Sequence, residues 1–98
     1  MITVFHAAGS RSVRIIWLLE ELGLDYELEV IKRGEINEAF LEASPFTKLP
    51  TIKDDDIVMS ESVAIVQYIL QKYGEGRLEP DHDSKEYAEY LQWLNFGE

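Results

Sequence analysis

At 98 residues with 46% apolar side chains, the chain has the length of one domain and enough apolar material for a core. Its net charge of −10 disfavours nucleic acid and anionic membrane as partners, because like charges repel. The absence of cysteine excludes a disulfide framework, a thiolate zinc site and a CxxC redox pair, so any thiol chemistry would have to use a ligand's thiol. No apolar run approaches the roughly 18 residues of a membrane span. The N-terminus lacks the basic flank and cleavage site of a signal peptide, and a cytoplasmic location is expected.

In chain order, Ile2 to His6 is a short apolar run rich in β-formers and reads as a first strand. Ala7-Ala8-Gly9-Ser10 is a small-residue loop. A helix then runs to about Leu22, with Ser10 or Ser12 as its N-cap and Gly23 as its stop. Val13, Ile16, Trp17, Leu19 and Leu22 follow helical spacing, and Ile15 and Leu18 widen the stripe, which predicts burial on more than one side. Tyr26 to Ile31 alternates apolar and acidic residues, the period of a half-buried strand. A short helix over residues 37–43 must end before Pro45. Thr51-Ile52-Lys53 and Ile57-Val58-Met59 flank an acidic turn as a β-hairpin. Ser62 to Tyr73 is a strong helix, with Ile65, Ile69 and Tyr73 on one stripe, Val66 and Leu70 beside it, and Gly74 as its end.

The order β-α-β-α-β-β-α gives an α/β fold with a four-stranded mixed sheet flanked by helices. Residues 77–84 read as a linker. Ser84 then caps a further helix whose aromatic face carries Tyr87, Tyr90, Leu91 and Leu94, with little chain left to cover it. Self-association through this face is expected.

The stretch Lys48-Leu49-Pro50-Thr51-Ile52, followed after the turn by Ser60-Glu61-Ser62, concentrates the chemistry. It places a proline at the mouth of one strand beside a helix start carrying an acid and a hydroxyl. Exposed backbone at Leu49 and an anion-binding helix start at Ser62 suit a small peptide bearing its own charges. The plainer readings are a trans proline opening a strand, ordinary capping by Ser62 and a solvated Lys48.

Three segments together resemble the N-terminal, thioredoxin-like domain of cytosolic glutathione S-transferases of the serine type, as in bacterial and fungal members. They are Gly9-Ser10-Arg11-Ser12-Val13-Arg14 through Leu22, Ser44-Pro45-Phe46-Thr47-Lys48-Leu49-Pro50-Thr51-Ile52, and Glu61-Ser62-Val63-Ala64-Ile65. The segment from Tyr87 to Phe96 is similar to the first helix of the family's all-helical C-terminal domain. The resemblance thus implies residues 1–76 as the glutathione-binding domain, 77–84 as linker and 85–98 as the start of a second domain, the rest of which is absent.

The resemblance also implies roles. Pro50 would be cis and would turn the Leu49 backbone toward an extended ligand. Ser62 would hold the γ-glutamyl carboxylate of glutathione at the helix start, Glu61 would face the neighbouring ammonium, and Lys48 would approach the glycine carboxylate, with Arg33 and Thr47 as lesser candidates. Ser10 would be the catalytic hydroxyl that donates to the glutathione sulfur, with Ser12 as runner-up. A free thiol titrates near about 8.5, and lowering that by roughly two units takes about 2.7 kcal/mol. A hydrogen bond to a charged group supplies about 1.5–3 kcal/mol, so one hydroxyl suffices in magnitude.

Phe5-His6-Ala7 offers no phenol of the tyrosine type, and composition excludes the cysteine type. His6 reads as structural. The function implied is addition of the glutathione thiolate to a small electrophile, by a homodimer in the full-length protein and poorly by this chain alone, with no metal. The alternative is a non-catalytic binding or assembly module of the same fold.

Overall fold

Strand β1 (Ile2–His6) lies inside the sheet, which explains its almost unbroken apolar character: Ile2, Val4 and Phe5 are all buried. In this computed structural model, residues 1–32, 38, 40 and 49–97 are described. Strand β2 (Tyr26–Val30) runs parallel to β1 on one side, with Tyr26 opposite Ile2 and Val30 opposite His6. On the other side β3 (Thr51–Asp54) runs antiparallel, with Thr51 opposite Phe5 and Asp54 opposite Ile2. Strand β4 (Ile57–Ser60) closes the hairpin and pairs Ser60 with Thr51. The sheet order is β2-β1-β3-β4, a mixed four-stranded sheet of the expected thioredoxin-like arrangement.

Two helices pack on one face of this sheet. Helix α1 (Ser12–Leu22) and helix α2 (Ser62–Tyr73) bury Ile15, Leu19, Leu22, Ile65, Ile69 and Leu70 against Ile2, Val4 and Ile52. Alternation along β1 turns Phe5 to the opposite face, where its ring meets Phe40 at 5.6 Å. Of the helix expected over residues 37–43, Glu38 and Phe40 are helical, and the remainder lies outside the described residues.

Helix α1 corrects one expectation. It is buried along one stripe only, and Val13 and Trp17 stand 57% and 69% exposed. The buried row is Ser12, Ile15, Leu19 and Leu22, spaced three or four residues apart, and Val13 and Trp17 fall outside that arc. The helix ends as expected at Gly23, whose φ of 69° is the left-handed conformation that a side chain disfavours.

The segment after α2 is tied down by Arg77. Its guanidinium donates to the carbonyls of Gly74 (2.9 Å), Tyr73 (3.3 Å) and Leu22 (3.0 Å), the last at the end of α1. His82 lies with its ring 4.6 Å from Tyr87 and Nε2 3.4 Å from Glu79. Helix α3 (Glu86–Phe96) follows, preceded by Lys85 at the N-cap. Ser84 does not cap it, because its hydroxyl is turned back to the Asp81 carbonyl at 2.6 Å. The face carrying Tyr87, Tyr90, Leu91 and Leu94 is half-buried, with Tyr90 packed on the core, rather than bare. Trp93 and Phe96 are the exposed large apolar residues of α3, packed edge to face at 5.4 Å.

At the end of the sheet where β1 begins, Asp54 is buried to 1% exposure. Its Oδ2 accepts from Tyr68 Oη (2.6 Å), Tyr73 Oη (2.7 Å) and Lys72 Nζ (3.0 Å), all three on α2. Burial pushes its pKa upward, but the hydrogen bonds from Tyr68, Tyr73 and Lys72 and the lysine charge outweigh that and hold it at about 2. Burial and the Asp54 hydrogen bond push the Tyr68 and Tyr73 hydroxyls up against an opposing pull from Lys72, burial leading at Tyr68 and the Asp54 hydrogen bond at Tyr73. An aspartate of the acidic stretch at 54–56 is therefore an internal anchor between sheet and helix and not part of a solvated surface.

Candidate functional site

Strand directions bring three separate pieces of sequence to one end of the sheet. Strand β1 finishes there at His6, antiparallel β3 begins there at Thr51, and β4 finishes there at Ser60. The loop into α1, the Leu49–Pro50 dipeptide and the start of α2 are consequently neighbours at this end, although residues 10 and 61 are far apart in sequence. The ends of strands where connections diverge are where clefts form in α/β sheets.

The first piece is a turn built on Gly9. Ser10 N–H donates to the Ala7 carbonyl at 3.1 Å across a turn whose third residue, Gly9, has a φ of 78°. Ser10 Oγ also donates to the Ala7 carbonyl, at 2.7 Å, and forms a hydrogen bond with Ser12 Oγ. Ser12 Oγ in turn lies 2.7 Å from His6 Nδ1 and accepts from Ala7 N–H at 3.4 Å. Ser10 is half-buried, whereas Ser12 has no exposed surface.

Neither serine is the N-cap. Arg11 holds that position without a side-chain capping bond, and Ser12 is the first helical residue. The two hydroxyls bond each other, Ala7 and His6, and Ser10 Oγ also accepts from Ser12 N–H, the first amide of the helix, at 3.3 Å. His6, which the sequence reads as structural, is the third member of this cluster. The available signal was its place at the end of a strand six residues before a serine that opens a helix.

The second piece is the Leu49–Pro50 peptide, which is cis, with Leu49 half-buried and Pro50 buried. Thr51 Oγ1 and Ser60 Oγ lie 2.8 Å apart across the hairpin and tie this segment to the third piece. Lys48, Arg33 and Thr47 lie outside the described residues.

The third piece is the start of α2. Glu61 is the N-cap residue with a φ of 78°, a backbone conformation that costs a non-glycine residue about 1–3 kcal/mol. Its carbonyl accepts the first helical bond from Ile65 at 2.9 Å, and its exposed side chain makes no capping bond. Ser62 is the first helical residue and is buried, so the plainer reading of it as a capping residue is not met. Its N–H is one of the first-turn donors that have no partner inside the helix. A recess of about 280 Å³ opens beside Ser62, lined also by Arg14, Val66, Trp93 and Leu94.

The structure thus directly joins Ser10, Ser12 and His6, and joins Thr51 to Ser60. Among the described residues, no hydrogen bond links the serine cluster to Leu49 or Ser62; these share an end of the sheet without touching through polar atoms. No group of three or more histidine or carboxylate side chains is placed to hold a metal ion among the described residues. No described helix is long and apolar enough to cross a membrane.

Known proteins share this fold. The model of the glutathione S-transferase N-terminal domain matches residues 4–77. Glutathione S-transferase 3 of Schizosaccharomyces pombe is 38% identical over 100 aligned residues, covering all of this chain and 41% of the relative. A solved glutathione S-transferase from Actinobacillus pleuropneumoniae superposes with a TM-score of 0.85 at 41% identity, over 97% of this chain and 46% of that one. A glutathione transferase homologue from Lodderomyces elongisporus, solved with two glutathione molecules per subunit, gives 0.84 at 27% identity, over 97% and 49%. The chain therefore spans less than half the length of these relatives. By its family match, its identity to these proteins and its fold, the chain belongs to the glutathione S-transferase family, in the part that forms the N-terminal domain.

Proposed function

We propose that residues 1–76 bind glutathione and that the Ser10 hydroxyl favours its thiolate for addition to a small electrophile. The observation that carries this reading is a half-buried serine, backed by a buried one, at the sheet end that also holds the Leu49 backbone and the start of α2. An extended peptide laid along Leu49 would pair with its N–H and C=O as a short strand addition. Its γ-glutamyl carboxylate would meet the Ser62 N–H and the positive end of α2. Its ammonium would face Glu61, its glycine carboxylate would lie toward Lys48, and its sulfur toward Ser10. The linker at 77–84 and the start of a second domain at 85–98 belong to the same proposal. So do a homodimer of the full-length enzyme, a cytoplasmic location and a chemistry that needs no metal. Addition of a thiolate to an electrophile requires a good nucleophile, and the hydroxyl supplies it by stabilising the anion.

Titration with glutathione, followed by amide NMR shifts, tests the reading. Shifts concentrated at Ser10, Leu49 and Ser62 are expected. Unchanged spectra at millimolar glutathione would overturn it in favour of a scaffold that has kept only the fold. Ser10→Ala is expected to leave the amide shifts at Leu49 and Ser62 responsive while weakening thiolate formation.

A further inference from the structure

We propose that His6 is a positioning residue that sets the direction of a hydrogen-bond relay ending on Ser10, with Ser12 as its middle member. The inference rests on the proposed function for its sulfur end, but its polarity follows from the free protein alone. A carbonyl can only accept, so the single hydroxyl proton of Ser10 is committed to the Ala7 oxygen, 2.7 Å away. The hydrogen bond between the two serines then takes its proton from Ser12, which spends the only one Ser12 has. The remaining contact, 2.7 Å between Ser12 Oγ and His6 Nδ1, therefore requires the proton on the histidine nitrogen. Two backbone groups also donate into the chain, Ala7 N–H to Ser12 Oγ and Ser12 N–H to Ser10 Oγ, at 3.4 and 3.3 Å, and fill the remaining acceptor site of each hydroxyl. All donors point one way, from His6 through Ser12 to Ser10.

Such a chain has a consequence for the bound thiol. When Ser10 swings its proton from the Ala7 carbonyl to sulfur, Ser12 and His6 keep donating behind it. Donors aligned in one direction polarise each other, so the outermost hydroxyl becomes a stronger donor to an anion. The thiol proton leaves to solvent water, and no covalent bond of the protein forms or breaks. Ser12, having no exposed surface, acts through Ser10 and not on the ligand. The reversed tautomer, with a bare Nδ1, would draw the Ser12 proton away from Ser10 and remove this support.

Nitrogen-15 NMR of the histidine-labelled chain without ligand reads the tautomer directly. A protonated Nδ1 on His6 is expected, and a bare Nδ1 would overturn the relay. The second measurement is the ultraviolet thiolate absorbance of glutathione at saturating concentration as a function of pH. His6→Ala is expected to raise the thiol's titration midpoint by about one pH unit, with glutathione affinity changed less than about twofold. His6→Asn, whose amide nitrogen stands near the Nδ1 position, restores the midpoint, whereas His6→Gln does not. Ser12→Ala shifts it as far as His6→Ala, and the double variant shifts it no further, because the two act in series. Equal midpoints for the Asn, Gln and Ala variants, or additive shifts in the double, would overturn the proposal; if His6→Ala does not fold, the Asn and Gln pair decides. Failure of the unsubstituted chain to bind glutathione would remove the proposed function, while the tautomer measurement would still decide the relay.

Discussion

Asp54 and Ser12 are both buried polar residues on the same side of the same domain, at opposite ends of the sheet, and their surroundings differ in kind. Asp54 carries a charge that receives three donors on one oxygen, while its Oδ1 is buried with no partner among the described residues. Ser12 belongs to a neutral chain in which each hydroxyl has one proton to direct. A charge fixed by several donors resists rearrangement, because any displacement leaves it underpaired in a medium of low dielectric. A row of hydroxyls exchanges one acceptor for another at little cost. The rigid arrangement joins β3 to α2, and the adjustable one faces the candidate site.

The largest effect expected from breaking this contrast is at Asp54. Asp54→Ala should lower stability by about 3 kcal/mol, since it removes a buried carboxylate and leaves two tyrosine hydroxyls without their acceptor. For a domain of this size that is a fall in melting temperature on the order of 15 °C. A change under about 1 kcal/mol in denaturant unfolding would show that the network is incidental.

A second effect follows from the sign of the Asp54 shift. Its folded-state pKa, about 2, lies below the ordinary 3.8, so the ionised form contributes stability that is complete above pH 4 and is lost as pH falls toward 2. That loss should amount to about 2 kcal/mol. Urea unfolding across this window should flatten in Asp54→Asn; an unchanged slope would assign the acid sensitivity to other carboxylates.

The smallest effects belong to the hydroxyl end. Ser12→Ala should cost about 1 kcal/mol, because His6 Nδ1 and Ala7 N–H lose a buried acceptor, and Ser10→Ala only a few tenths, because its position is half-open to water. A larger cost at Ser10 than at Ser12 would invert the comparison and place the structural load on the residue assigned to chemistry.

Periodicity located nearly every described element. The ends of α2 at Ser62 and Tyr73 and the stop of α1 at Gly23 coincide with the expected positions, because a helix terminus is written in neighbouring residues. What local reading missed depends on contacts distant in sequence. Asp54 looked like turn chemistry because Tyr68, Lys72 and Tyr73 reach it only after α2 folds over β3. The contact of His6 with Ser12 is not written in the neighbours of either residue, since the sequence leaves Ser10 and Ser12 as alternative caps. The exposure of Trp17 was hidden by its helical spacing, which marks an apolar stripe without saying which edge of it meets the sheet. Ser10 and Ser62 were legible as motif positions, but their common place at one sheet end came from strand direction.

Arg77 has a consequence for how the domain opens. One guanidinium holds the carbonyl ends of both α1 and α2, at Leu22 and at Tyr73 and Gly74, so neither terminus can fray without releasing the other. Two helices that would otherwise unwind independently are made into a single local-unfolding unit, and the chain that continues toward α3 departs from a fixed point. A lysine in its place would carry its donors on a single atom and lack the forked reach that spans both helix ends, which would then breathe separately.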